Sequence, residues 1–364
     1  MTDPMAALYS TSVPVFTVDG DVRGELARDL LRLEIEEATD GLKTLTARFV
    51  AFGPADGSAE ERLLYLDGDP LDFGRPLEVA LGPPDGARTL LSGAISALEA
   101  SFEEAREPQV VVFAEDRLMD LRMTRRMRTY RESTDAEIAE AIAAEQGLTP
   151  RVDAPGPRYD LIQQWNQSDL AFLRERARVL AAEVWVAGEE LFFQARPSRS
   201  ATELTLVRGN DLIAVELRAD LAHQRTAVRI SGYDAADRAA IDEEAGAETI
   251  EAEIAGGRTG PAILERAFGA RVSHRVREVP LNSAEAGDWA RAEMLRRARG
   301  FVQVCAVTRG TPDLVVGSRL RLERVGAPFE GDGYAVTRVC HTWDLDQGHR
   351  TRFEAERPTL AEAT

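Results

Sequence analysis

Lysine is almost missing from this chain: Lys43 is the only one, and the other basic side chains are arginines. Acidic residues outnumber basic ones, leaving a net charge of −18. That excludes a protein that coats nucleic acid, because phosphate binding needs a basic face. Only two cysteines occur, Cys305 and Cys340, each inside an alternating strand pattern (FVQVCAVT and YAVTRVCHTW). Such placement predicts two buried, reduced thiols rather than a disulfide or a metal pair. No stretch holds the ~18 uninterrupted apolar residues of a membrane helix. The opening MTDPMAALYSTSVPVFTVDGD lacks the basic start and apolar centre of a secretory signal, which predicts synthesis in the cytosol.

The marks of catalysis are equally scarce. There are four histidines, His223, His274, His341 and His349. No His-Glu-x-x-His motif, Cys-x-x-Cys pair or Gly-x-Ser-x-Gly elbow is present. HTWDLDQGH gathers His341, Asp344, Asp346 and His349 in one predicted hairpin, but with no recognisable metal spacing. It predicts a strand-edge histidine beside exposed turn acids. AGGRTG, at 255–260, lacks the Lys-Ser or Lys-Thr of a phosphate loop. Carboxylates are too numerous to single out a glycosidase pair. The sequence therefore predicts no catalytic residue, no metal site and no cofactor. Its four tryptophans, at 165, 185, 289 and 343, are scattered, unlike the aromatic cluster of a glycan-binding adhesin.

What the chain has in quantity is alternation of apolar and polar residues, the two-residue period of half-buried strands. PVFTVDG, LLRLEIEEA, LTARFVAFG, LLYLDG, PLEVALG, TLLSGAISALEASF and QVVVFAED read as strands, punctuated at PADGSAE and GPPDGA. Residues 26–31 predict a short helical turn. Part of this pattern then recurs. Gly74, Leu77 and Val79 match Gly317, Leu320 and Leu322; Ile95 and Leu98 match Val336 and Val339; FAEDR, ending at Arg117, matches FEAER, ending at Arg357. Upstream, DLLRLEI at 29–35 resembles DLIAVEL at 211–217, and Arg48, Phe49 and Phe52 fall against Arg229, Ile230 and Tyr233. The pattern predicts two copies of one small β-barrel, spanning 1–117 and 211–364, with an insertion in the second.

Between them, 118–210 predicts an α/β module. Thr134 and Glu137 form a capping box for a helix carrying Ile138 and Ile142, which Gly147 ends. A strand at 159–165 follows, then a helix capped by Ser168, then a hairpin around Gly188. In the second copy, acids from Asp242 to Glu253 predict a solvated loop at about 240–262, or one that orders on a neighbouring subunit. A helix at 283–299, capped by Ser283, has apolar residues spread round it, which suggests a contact with another chain.

QQWNQSDLAFLRER carries a resemblance. It is similar to the phage late control gene D proteins and to the hub part of VgrG spikes in type VI secretion. The matching residues are Gln164, Asn166, Ser168, Asp169, Leu170, Phe172, Leu173 and Arg174, with His341 after the last long strand. The residues themselves ask only for structure: a helix start, an apolar face and hydrogen bonds across a strand end.

The resemblance implies a mainly β fold with an α/β insertion and a non-enzymatic baseplate hub. Such a hub is a homotrimer, its two barrels per chain making a pseudo-sixfold ring that joins a hexameric inner tube to a trimeric spike. The chain ends at ERPTLAEAT without repeated spike strands, which predicts a separate spike protein. Other baseplate proteins are expected partners; membrane insertion and specific nucleic-acid binding are not. The implied location is a phage virion or contractile injection particle. The alternatives are a tail-borne cell-wall hydrolase and a glycan-binding adhesin.

Overall fold

The computed structural model describes residues 13–361, except 55–60, 83–86, 200, 236, 255 and 277–279. Most of PADGSAE and GPPDGA, and the first twelve residues, lie outside the described residues.

The first strand group follows the alternation. It comprises β1 (Val15–Val18), β2 (Asp21–Val22), the turn of helix α1 (Gly24–Asp29), β3 (Leu30–Ala38) and β4 (Thr44–Val50). Then come β5 (Phe52–Pro54), β6 (Glu61–Leu63), β7 (Pro76–Leu81), β8 (Arg88–Ser101) and β9 (Gln109–Glu115). Their inward residues, among them Phe16, Leu33, Phe49, Leu77, Ile95 and Val112, form one buried cluster. Burial of each such side chain is worth roughly 1.5–3 kcal/mol. LLYLDG departs from expectation. Only Leu63 belongs to a strand, and Tyr65 turns the chain at φ 65° so that its hydroxyl donates to Asp29 at 2.5 Å.

The module has its own core, including Ile138, Ile142, Leu170, Leu173 and Phe193. Its elements are α2 (Leu118–Met123), β10 (Arg125–Ser133), α3 (Asp135–Glu145), β11 (Thr149–Val152), β12 (Tyr159–Ser168), α4 (Asp169–Val179), β13 (Ala182–Ala187) and β14 (Glu190–Ala195). The capping box at Thr134 forms with both hydrogen bonds present. β10 and β12 make a two-stranded ribbon, and β11, β14 and β13 a second small sheet. β15 (Glu203–Val207), which the sequence places within the module, leaves it and pairs in parallel with β22 (Arg319–Glu323).

The remaining elements are β16 (Leu212–Ala219), β17 (Ala227–Asp234), β18 (Ala239–Gly246), α5 (Glu248–Glu251), β19 (Arg258–Thr259), α6 (Gly260–Phe268), β20 (Val272–Arg275), α7 (Ser283–Arg299) and β21 (Val302–Thr308). After β22 come β23 (Gly331–Asp344), β24 (Gly348–Arg357) and β25 (Thr359–Leu360). Thirteen strands make one continuous, largely antiparallel sheet. Along it the order 3-4-9-8-7 of the first half recurs as 16-21-24-23-22 in the second.

The repeat reaches individual residues. In the first half the register slips between Leu30 and Arg32, and between Ile95 and Ala97. In the second it slips between Leu212 and Ala214, and between Val336 and Arg338. The Gly74 amide donates to the Ile95 carbonyl at 2.8 Å, and the Gly317 amide to the Val336 carbonyl at 3.0 Å. Both glycines have positive φ, 76° and 90°. At Gly317 a Cβ would also stand 2.9 Å from Arg199, so glycine is required twice over.

Several expectations are corrected here. The counterpart of β4 is β21, not β17, so Arg48, Phe49 and Phe52 do not align with Arg229, Ile230 and Tyr233. β17 pairs with β18 and β20 in a separate sheet, covered by α7 through Ala286, Ala290 and Met294. That face of α7 is therefore buried within the chain, and its cap is Asn282, whose side chain accepts from Glu285, rather than Ser283. The acidic stretch is no loop: Asp242, Glu243 and Glu244 lie on β18, and Glu248 and Glu251 on α5. Cys340 is buried, but Cys305 is exposed on the opposite face of its strand from Val304 and Ala306. Both are free.

The two halves are joined edge to edge. β3 pairs antiparallel with β23, Arg32 facing Asp344 and Ala38 facing Arg338. The physical reason is that each half leaves an unpaired strand edge, and the two edges satisfy one another.

Candidate functional site

The residues of the QxNxSD signature meet at the corner where β12 runs into α4. Asn166 is the extra residue of a bulge, since Arg126 faces Gln167 while Met127 faces Trp165. Its φ is 46°, a left-handed conformation that asparagine tolerates better than most residues. The Arg125 side chain donates to its carbonyl at 2.9 Å. Gln164 is buried, and its amide donates to Asp169 Oδ1 at 2.9 Å and to the Gln167 carbonyl at 3.0 Å. Ser168 caps α4 by accepting from the Ala171 amide, and Asp169 pairs with Arg126 at 3.0 Å. Leu170 and Leu173 are buried, and Phe172 stacks on Tyr130 with centroids 5.9 Å apart. Arg174 is half-buried; burial lowers its pKa, against the pull of Asp40 and Asp116. At this corner the polar side chains bond one another and the apolar ones pack.

On the outside of the β10–β12 ribbon, Met127 and Trp165 face one another and both are exposed. Sequence reading assigned Trp165 no role, because its partner comes from across the strands.

Two buried ion networks tie the module to the rest. Arg176, on α4, donates to Asp135 at 2.6 Å and to the Tyr159 hydroxyl at 2.5 Å, and reaches Glu285 of α7 at 3.5 Å. Burial raises the pKa of Asp135 and of Glu285, while Arg176 holds both down. Gly156 makes room for this group, since a Cβ there would lie 2.4 Å from Asp135. The second network is Arg199, stacked 4.4 Å over Trp185, bonding Glu37 of β3 at 2.6 Å and Glu183 at 3.1 Å. Arg196 joins Glu183 to Glu356 of β24. Both halves of the sheet are thus clamped to the module beside their joint.

His341 lies away from the signature corner, in the interior of the sheet. It is not at a strand edge, because β3 and β24 flank its strand. Its Nε2 lies 3.1 Å from the Leu314 carbonyl and its Nδ1 3.2 Å from His349 Nε2. Burial lowers the pKa of His341 to about 3 and of His349 to about 4. The carbonyl contact fixes the proton on Nε2 of a neutral His341. Asp344 and Asp346 stay in the turn, where the Asp344 carboxylate accepts from the amides of Asp346 and Gln347.

Among the described residues one set of donors could gather a metal: Glu34, Glu36 and Cys340, whose ligand atoms lie within 4.8 Å of one another. Burial pushes the Cys340 thiol up to about 11, and Arg338 already pairs with Glu36. A protonated thiol and a paired carboxylate are a poor fit for a cation. A cavity of about 600 Å³ near the end of β24 is lined by Arg196, Arg299, Arg319 and Arg357 with Glu253 and Glu356. Arg196 and Arg299 bind its two glutamates, and Arg357 donates to backbone carbonyls. Among the described residues, no helix is long and apolar enough to cross a membrane.

Comparison with known proteins follows the fold. A family model described as the Alg8 N-terminal domain matches residues 30–344, and the chain belongs to that family. No curated protein matches it. Among solved structures, it is similar to the 43 kDa tail protein of prophage MuSo2 from Shewanella oneidensis. The identity is 14% and the TM-score 0.68, over 95% of this chain and 98% of that one. It is also similar to the tail protein from Neisseria meningitidis MC58, at 12% identity and TM-score 0.63, over 95% and 96%. A third likeness is to the E. coli c3393 protein, described as a component of the type VI secretion system. That match is at 14% identity and TM-score 0.60, over 92% of this chain and 76% of that one. These likenesses show that the chain has the mainly β fold of tail proteins. The matching family carries a different description from the late control gene D and VgrG proteins that the signature resembles.

Proposed function

We propose that this member of the Alg8 N-terminal domain family is a structural component of a phage tail or contractile injection baseplate, working by assembly rather than by catalysis. Three chains form a hub that joins a hexameric inner tube to a separate, trimeric spike protein, among other baseplate proteins. The particle, virion or injection device, is where the chain ends up after synthesis. The observation that carries the reading is the repeat of strand order and of register slips between the two halves. Each chain then offers two like-shaped units, so a threefold ring presents six. The module, held by Arg176 and Arg199, occurs once per chain and keeps the other side threefold. The fold shared with tail proteins supports the same conclusion.

Sedimentation velocity on the purified chain tests this. The expected mass is that of three chains, or of one chain that becomes three on adding the spike protein. A stable dimer contradicts the hub.

A further inference from the structure

The joint within the chain specifies a joint between chains. β3 is buried along both edges, by β4 and by the latter part of β23. Its counterpart, β16, is paired along one edge by β21; on the other, among the described residues, only Leu212 has a partner, in a single bridge to Arg208, and 214–219 have none. β23 is long: its first part pairs with β22, and residues from Arg338 on pair with β3. Its counterpart β8 has the same length, and its first part pairs with β7. Beyond Ile95, the matching edge of β8 has no partner among the described residues. The chain thus carries one β3–β23 joint and both halves of a second.

We propose that β16 of one chain pairs antiparallel with residues 97–103 of β8 and its extension in a second copy of the same chain. This rests on the hub reading and specifies its contact. The register follows by shifting each side of the observed joint onto its counterpart. Arg218 then faces Glu99 of the other copy, Leu217 faces Ala100, Glu216 faces Ser101 and Val215 faces Phe102.

Chemistry agrees with that register on both faces. On the inner face of the existing joint, Trp343 faces Leu33 and His341 faces Ile35, all four buried. The counterparts are Phe102 opposite Val215 and Ala100 opposite Leu217. Phe102 is 62% exposed in the single chain, an aromatic ring with nothing on it. Val215 and Leu217 are only partly buried against the second core. On the outer face the pairing brings Arg218 to Glu99, opposite charges directly across two strands. Arg218 is exposed and held by Asp220 of its own chain, 2.5 Å away, on the face that Glu99 would join. The contact is head to tail, β8 edge to β16 edge, and such a contact closes into a ring when the rotation between copies is a whole fraction of a turn, here a third. It also removes the two edges that would otherwise template aggregation.

Cysteines at Ser101→Cys and Glu216→Cys, in one chain that also carries Cys305→Ser, test the register. Cys305 is changed because it pairs with Glu216 within the chain. Mild oxidation is expected to link most chains to one another, up to covalent trimer. A Glu99→Cys and Glu216→Cys chain, two residues out of register, is expected to link at least tenfold less. Separately, Phe102→Asp is expected to reduce the assembly to single chains while leaving each chain folded, with an unchanged far-ultraviolet circular dichroism spectrum, since Phe102 is exposed and touches no core. A trimer that gives no Ser101–Glu216 link, or that persists with Phe102→Asp, overturns this pairing and leaves the hub standing. A parent chain that never trimerises, with or without the spike protein, overturns both.

Discussion

Arg176→Met, which removes a buried charge, lowers the unfolding free energy by about 3–5 kcal/mol. Methionine fills the space of the aliphatic stem, so the loss measures charge and not a cavity. Asp135 and Glu285 are left buried with no cation, and the Tyr159 hydroxyl loses a donor. Both acids already have raised pKa values with Arg176 in place, because burial disfavours their charged forms. Without it they rise further, and the folded variant takes up protons. A group with a raised folded pKa contributes stability at low pH that is lost as pH rises through that pKa. The penalty is therefore smaller at pH 5 than at pH 8. Adding Asp135→Asn and Glu285→Gln recovers most of the loss at pH 8. Denaturant unfolding of the three chains at both pH values checks this; a uniform loss below about 1 kcal/mol removes the network from the account.

The second large effect comes from acid. His341 and His349 are neutral and buried, with folded pKa values of about 3 and about 4 against an ordinary 6.5. Lys43, Arg88 and Arg350 add to the cost of charging them. Stability from a depressed base is whole above pH 6.5 and falls as pH drops towards the folded values. Each histidine then costs about 1.4 kcal/mol per pH unit below 6.5, or about 2 kcal/mol by pH 5. Asp116 works the other way. Burial raises it to about 6, so its contribution is whole below 3.8 and lost as pH rises. Comparison with His349→Leu, which keeps Asp116, isolates the histidine part. The parent should lose about 2 kcal/mol more than the variant between pH 6.5 and 5. Assigned ring-proton resonances of His341 and His349 that titrate near 6.5 would contradict the burial.

Much of this architecture is legible in the sequence where local chemistry dictates it. Gly74 and Gly317 stand out because both must adopt positive φ beside a neighbouring strand. Thr134 with Glu137, and Ser168, read as helix starts because capping is set within three residues. The misalignment of Phe49 with Ile230 has an equally physical origin. β17 and β21 alternate with the same period, and only the pairing partner distinguishes them. The fate of His341 is hidden for a related reason. Its hairpin is local, but its burial depends on β3, some 300 residues earlier in the chain. Asn166 is chosen by a bulge whose other strand is β10, so the signature is visible before its cause. Cys305 and Cys340 look alike in sequence, yet one faces out and the other is covered. The tie through Arg199 to Glu37 joins residues 162 apart, and nothing in the spacing announces it.

Electron-microscopic averages of the assembled particle, viewed down its axis with no symmetry imposed, reach the centre of the account. Six lobes of nearly equal size, alternating in two kinds with the inserted module on every other one, are what a twice-used sheet in three chains must give. A ring with three or four like lobes, or six lobes without alternation, would mean that the two halves of this polypeptide do not stand in for one another.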